Sequence, residues 1–152
     1  MTPVWGLQDA VIRFVADKCG CRPDFGNCQA LAVISKDRLV GGVIFHNWSP
    51  ETGVIEISAA GEKGRWVSKS VLKEVFDYAF IRAGCQMVVA RIAEDNRAAR
   101  DLWKSLGSDE ILIPRLRGRT ASEAIELLTQ EAWQSSRFNR SKNEQAESTK
   151  AA

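Results

Sequence analysis

The chain has 152 residues, 45% apolar and 26% charged, the profile of one globular domain whose core buries about two-thirds of the unfolded surface. Its 21 basic residues nearly balance 19 acidic ones, which excludes the strongly basic field of a general nucleic-acid binder, so no nucleic-acid partner is expected. No apolar run approaches the roughly 20 residues needed to cross a bilayer, and no basic segment followed by an apolar run opens the chain, so a cytoplasmic protein without membrane association is expected.

Leu7, Val11, Phe14 and Val15 recur at helical spacing, and Gly20 and Pro23 stop that helix, predicted over residues 7–18. Residues 29–35 and 39–46 are apolar, β-branched runs joined by Ser35-Lys36-Asp37-Arg38, the pattern of an antiparallel hairpin. Residues 47–52, with Trp48-Ser49-Pro50, carry turn chemistry, and residues 53–60 make a third strand of the same meander. The period then changes: Val67, Val71, Leu72, Val75, Phe76, Ala79 and Phe80 repeat every three or four residues, which predicts the longest helix over 66–83, ended by Gly84. A strand at 85–92 follows. Asn96 is an N-cap for a helix carrying Ala99, Leu102, Trp103 and Leu106, and Gly107 closes it. Residues 111–115 and 124–128 read as two closing antiparallel strands, and 129–133 as the start of a last helical turn. The domain spans 1–137; residues 138–152 are polar, charged and poor in large apolar groups, and are expected to be a disordered tail.

Cys19, Cys21 and Cys28 lie close together in sequence, and His46 offers a fourth ligand for a metal. The one-residue gap in Cys19-Gly20-Cys21 does not fit structural zinc spacing, so no metal site is expected; free thiols or a redox pair are the alternatives. Arg115, Arg117 and Arg119 alternate, either as an anion-facing patch or as the solvated face of a strand.

Asn96-Arg97-Ala98-Ala99-Arg100-Asp101-Leu102-Trp103-Lys104-Ser105-Leu106-Gly107 resembles the N-x-x-A-x-x-L-Y-x-x-x-G-F signature of the GNAT superfamily of N-acetyltransferases. Phe76-Asp77-Tyr78-Ala79-Phe80 resembles the end of that family's central helix, and the order of elements agrees. Within the superfamily the chain is most similar to ribosomal-protein N-terminal acetyltransferases and to small GNAT-like proteins of phage and prophage genomes. The resemblance implies an α+β fold with an antiparallel meander, a parallel strand pair and closing antiparallel strands. It also implies acetyl transfer from acetyl-CoA to a primary amine of a protein or peptide by direct attack, and a possible homodimer through the last strands.

Residue by residue, the resemblance sets Lys63-Gly64-Arg65-Trp66-Val67-Ser68 on the phosphate-binding loop, with Trp66 where the family has its central glycine and Ser68 in place of Gly/Ala. Backbone N–H groups at a helix start, with their dipole, favour an anion whatever the side chains, so the loop keeps its main donors. Trp66 alternatively fills the cofactor slot as a core anchor. The pantetheine arm would pair with backbone around Ser58 and Ala59 in the gap between two splayed strands, with Asn96 on the far side, either as a clamp or as a helix cap. Trp103 stands where the family has a tyrosine acid. An amine must lose a proton before it attacks a thioester, and Glu56 is the candidate base, with His46 second. Two other readings remain: a GNAT-fold binding module without catalysis, such as a phage protein engaging a host factor, and acetylation of a small amine, for which Glu51, Glu56 and Glu62 would form an acidic pocket.

Overall fold

The structure, a computed structural model, describes residues 1–63 and 66–139. In chain order these form β1 (Thr2–Val4), α1 (Gln8–Cys19), β2 (Gln29–Ser35), β3 (Arg38–Ser49), β4 (Val54–Gly61) and α2 (Lys69–Asp77), which runs into a π-helical turn over Tyr78–Arg82. Then come β5 (Met87–Ala93), α3 (Arg97–Leu106), β6 (Asp109–Ile113), β7 (Glu123–Thr129) and α4 (Gln130–Ser135). The strands make one sheet ordered β1-β2-β3-β4-β5-β7-β6, antiparallel at every pairing except β4 with β5. The meander, the single parallel pair and the closing antiparallel strands are those expected from the sequence. Among the described residues no helix is long and apolar enough to cross a membrane.

The sheet carries helices on both faces. Val11 and Val15 of α1 pack on Ala30, Ala32 and Ile44, while Val71, Leu72, Val75 and Phe76 of α2 pack on Leu31, Val33, Phe45, Ile55 and Ile57. Leu106 of α3 and Trp133 of α4 join the second cluster. Phe76 is its hub, stacked on Phe80, tilted against Trp133 at 4.7 Å and edge-on to Trp103 at 5.8 Å. Burying an aromatic ring of this kind contributes about 2–3 kcal/mol.

Several boundaries differ from expectation for local physical reasons. The helix predicted from residue 66 starts at Lys69, because Ser68 is extended (φ −109°, ψ 169°) and its Oγ accepts the Val71 N–H at 3.2 Å as the N-cap. β3 continues to Ser49, through the region read as a turn, because a bulge follows His46, where Asn47 adopts φ +50°. The strand expected at 111–115 ends at Ile113: Pro114 lacks an N–H and Arg115 turns left-handed at φ +66°. Arg115, Arg117 and Arg119 therefore lie in a turn and form no strand face. The cysteines do not gather. Cys28 sits by Gln8 at the N-terminal end of α1, which donates to its carbonyl at 3.1 Å, whereas Cys19 and Cys21 lie at the other end of that helix. Of the expected tail, residues 140–152 lie outside the described residues, and Phe138 packs against the core.

Two adjacent glycines of β3 allow close approach on both faces. A Cβ on Gly42 would lie 2.8 Å from Val11 and 2.9 Å from Val15, so α1 rests directly on the strand there. Gly41, paired with Gly61 across to β4, forms a bare platform on which the Trp66 ring lies; a Cβ on either would fall inside the indole. Gly61→Ala is accordingly expected to destabilise the protein by about 1–3 kcal/mol in urea unfolding. Adding Trp66→Ala to it should recover part of that loss, and a fully additive double variant would show that the ring does not occupy the platform.

Candidate active site

The parallel pairing of β4 with β5 runs from Val54↔Met87 to Ile57↔Ala90 and stops. Beyond it, Ser58–Gly61 pair only with β3 and Arg91–Ala93 only with β7. Two strands of one sheet thus diverge into a wedge whose facing backbone groups have no ladder partner, and buried main-chain polar groups require one. Ala59, in a central strand, is exposed, so the sheet is uncovered at this point. An extended chain bearing amide groups, as a pantetheine arm is, meets both conditions by adding as a strand.

Two capped helices flank the wedge. Ser68 caps α2, as above, and the Asn96 carboxamide caps α3 by accepting the Ala99 N–H at 3.2 Å, so capping is the role the geometry gives Asn96. Trp103 of α3, in the tyrosine position, packs on Ala90, Ile92 and Ala124 and against Phe76. An indole N–H donates a hydrogen bond but does not give up its proton, so Trp103 does not act as an acid. On the loop before α2, Lys63 is exposed, Val67 packs on the core, and the Trp66 ring lies on the Gly41–Gly61 platform, turned onto the sheet. Gly64 and Arg65 lie outside the described residues. Glu62 does not oppose this basic loop, because Arg38 holds its carboxylate through two bonds of 2.6 and 2.7 Å.

On the α1 face, at the start of the wedge, register brings three polar side chains together. His46 of β3 stands directly opposite Glu56 of β4, with Ser58 two residues further on the same face. His46 Nε2 lies 2.8 Å from Ser58 Oγ and 3.5 Å from Glu56 Oε2. Burial pushes the His46 pKa below its ordinary value, an effect that the nearby Glu56 partly opposes, so the ring is neutral at neutral pH. The Phe25 ring closes over it edge-on at 5.4 Å. Glu56 keeps access to solvent, with its side chain 20% exposed against 9% for His46. Asn47 holds it in place by donating to Oε1 at 3.1 Å. Both nominated bases therefore sit in one cluster, with Glu56 the more exposed of the two. Asn47 and the Ser58 hydroxyl had no assigned part; Asn47 belongs to a stretch legible only as turn chemistry, although asparagine is the residue that most readily accepts the left-handed backbone found there.

The carboxylates proposed for an acidic pocket do not converge. Glu56 and Glu62 are six residues apart along extended chain, roughly 20 Å, and each is held by its own partners. Two strands away on the same face, Glu123 of β7 is buried between Arg91 and Arg117, the latter at 2.8 Å. Among the described residues, no group of three or more His, Cys, Asp or Glu side chains is placed to hold a metal.

No protein-family model matches the sequence, and no curated protein matches it. Solved structures do. A probable acetyltransferase superposes with a TM-score of 0.62 at 18% identity over 70% of this chain and 63% of its own, so this chain spans less than two-thirds of that protein. The spermidine N-acetyltransferase SpeG of Vibrio cholerae, in a point-mutant form, superposes with a TM-score of 0.70 at 13% identity over 89% of this chain and 98% of its own. The same enzyme in a dodecameric intermediate state gives 0.69 at 13% identity over 88% of this chain and 96% of its own. A mixed seven-stranded sheet with one parallel pair and these structural neighbours give the chain the GNAT acetyltransferase fold.

Proposed function

We propose that this protein is an acetyl-CoA-dependent N-acetyltransferase whose acceptor is the primary amine of a protein or peptide. The observation that carries this reading is the wedge beyond Ile57↔Ala90, with Glu56, His46 and Ser58 clustered at its start. In it, the pantetheine arm of acetyl-CoA pairs with backbone around Ser58 and Ala59. Lys63, Gly64, Arg65, Trp66, Val67 and Ser68 lead the pyrophosphate to the N–H groups of α2, with Asn96 and Trp103 along the opposite wall.

Glu56, directly or through a water, takes the proton from the incoming ammonium, and neutral His46 offers a second acceptor beside it. The freed amine attacks the thioester carbonyl, and a backbone N–H near Ser58 stabilises the oxyanion. Collapse expels the CoA thiolate, and the surplus proton that the nitrogen carries after the attack passes through water to the departing sulfur; a thiol of pKa about 8.5 leaves readily, so a tyrosine is dispensable. The separated carboxylates, together with guanidinium groups on the α1 face, favour a peptide acceptor over a polyamine. Four free cysteines agree with the cytoplasm as the working compartment.

A second reading, a GNAT-fold binding module acting through a protein partner, is favoured by one observation: the Trp66 ring covers the glycine platform beside the loop. Calorimetric titration separates the two. Micromolar binding of acetyl-CoA and CoA, weakened about tenfold or more in a Lys63→Ala/Arg65→Ala variant, is expected if the loop holds phosphate. No binding at millimolar ligand would leave the binding module as the better account.

A further inference from the structure

Beside the wedge, β5 and β7 carry a charge cluster that the proton transfer does not use. Glu56 and Val89 are register partners, so alternation along β5 puts Arg91 on the face that carries Glu56, His46 and Ser58, about 7 Å beyond Val89. Arg91 follows Ala90 of the last parallel pair, as Ser58 follows Ile57, so the two flank the opening of the wedge from opposite strands. Arg117 arrives from the β6–β7 turn, which folds back at Gly118 (φ +133°) while the Arg117 N–H donates to the Ala121 carbonyl at 3.2 Å. Glu123, 3% exposed, meets Nε of both arginines, and among the described residues neither guanidinium has another ion-pair partner. Two cations against one carboxylate leave one positive charge uncompensated, on side chains 49% and 41% exposed. A buried anion that serves only these two long side chains fixes their orientation in advance of any ligand.

We infer that Arg91 and Arg117 form a subsite for a carboxylate side chain of the acceptor peptide, within about two residues of the amine to be acetylated. The inference rests on the peptide N-acetyltransferase reading and narrows it to acidic peptides. An extended peptide advances about 3.3 Å per residue, so a chain whose amine sits at Glu56 and which runs toward β7 carries its second and third residues past Arg91. Guanidinium N–H groups bind a carboxylate through charge-assisted hydrogen bonds of fixed geometry. A single negative charge brings the cluster to neutrality, whereas a phosphate dianion leaves an excess beside buried Glu123, so a carboxylate is the better match. A lysine or arginine at the same place in the peptide meets net positive charge and is rejected.

Fluorescence anisotropy with two labelled peptides, identical except for Glu-Glu or Gln-Gln as their second and third residues, tests this by binding, with and without saturating CoA. The wild-type chain is expected to bind the Glu-Glu peptide about tenfold more tightly. Arg117→Gln, which leaves Arg91 to pair with Glu123, should cut that preference to about threefold. The variant Arg91→Gln/Arg117→Gln/Glu123→Gln removes the three charges together and leaves no buried carboxylate unpaired, so it should abolish the preference with unchanged far-UV circular dichroism. Equal wild-type affinity for the two peptides, or a preference that survives in the triple variant, would overturn the proposal. A triple variant that loses CoA affinity instead would assign the arginines to the cofactor and overturn it as well. An acidic preference in a protein that acetylates neither peptide would support the subsite and refute the catalytic reading, which keeps the two failures apart.

Discussion

Glu56→Gln is expected to lower kcat/KM for acetyl transfer by about 10²- to 10⁴-fold, the range ascribed to a positioned general base, while acetyl-CoA affinity stays within about twofold. The substitution preserves shape and lets the side-chain oxygen go on accepting from Asn47, so the cluster with His46 and Ser58 is retained. Only basicity is lost. Steady-state kinetics with a panel of peptide amines, alongside the calorimetric titration, provides both readouts. A loss below about threefold would remove Glu56 from proton transfer and leave His46 as the base. A parallel loss of acetyl-CoA binding would instead make Glu56 a structural residue.

The second large effect concerns stability. Glu126 of β7 is 1% exposed and stands opposite Glu110 of β6, two carboxyls side by side under α3. Ser108 donates to Glu126 Oε2 at 2.7 Å, while Oε1 is buried without a hydrogen-bond partner. Burial and the Glu110 carboxylate push Glu126 up to about 7, while the Arg100 guanidinium holds Glu110 down at about 2. Since the Glu126 pKa is raised in the folded state, its contribution is full below the ordinary value of 4.5 and is lost as pH rises through 7. Tm should therefore fall relative to Glu126→Gln between pH 4.5 and 7.5, by roughly 5 °C, and stay level above that. His46, whose pKa is lowered on folding, acts in the opposite sense as pH drops below 6.5, so the comparison that isolates Glu126 is wild type against variant at each pH. Parallel curves for the two proteins would show that Glu126 is ionised throughout.

How much of this was legible in the sequence follows from what is local. Helical periodicity, predicted over 7–18 and 66–83 and found over 8–19 and 69–82, the β-branched runs of the meander, Asn96 as an N-cap and Gly107 as a C-cap are decided by residues within one or two turns of each other, so each element forms in the predicted order with its ends displaced by a few residues at most. The GNAT fold was readable because those elements recur in a fixed order. The candidate bases were readable one at a time, as a glutamate and a histidine on adjacent strands.

Tertiary structure decided the rest. That His46 faces Glu56 depends on the β3–β4 register, which is set by a turn, a bulge at Asn47 and the burial of Phe45 and Ile57 on the other face, none of which reveals itself in spacing. Trp66 reads as the first residue of an apolar helix until Gly41 and Gly61, 25 and 5 residues earlier, supply the platform its ring needs. Glu62 reads as one wall of an acidic pocket until Arg38 binds it, and nothing near Glu126 in the sequence marks it as a carboxylate buried opposite Glu110. In each case the deciding partner is on another strand or loop. Local pattern determined which elements form and in what order, whereas the meeting of side chains that chemistry needs was determined by how those elements stack, because sheet register and helix packing are energies of distant contacts.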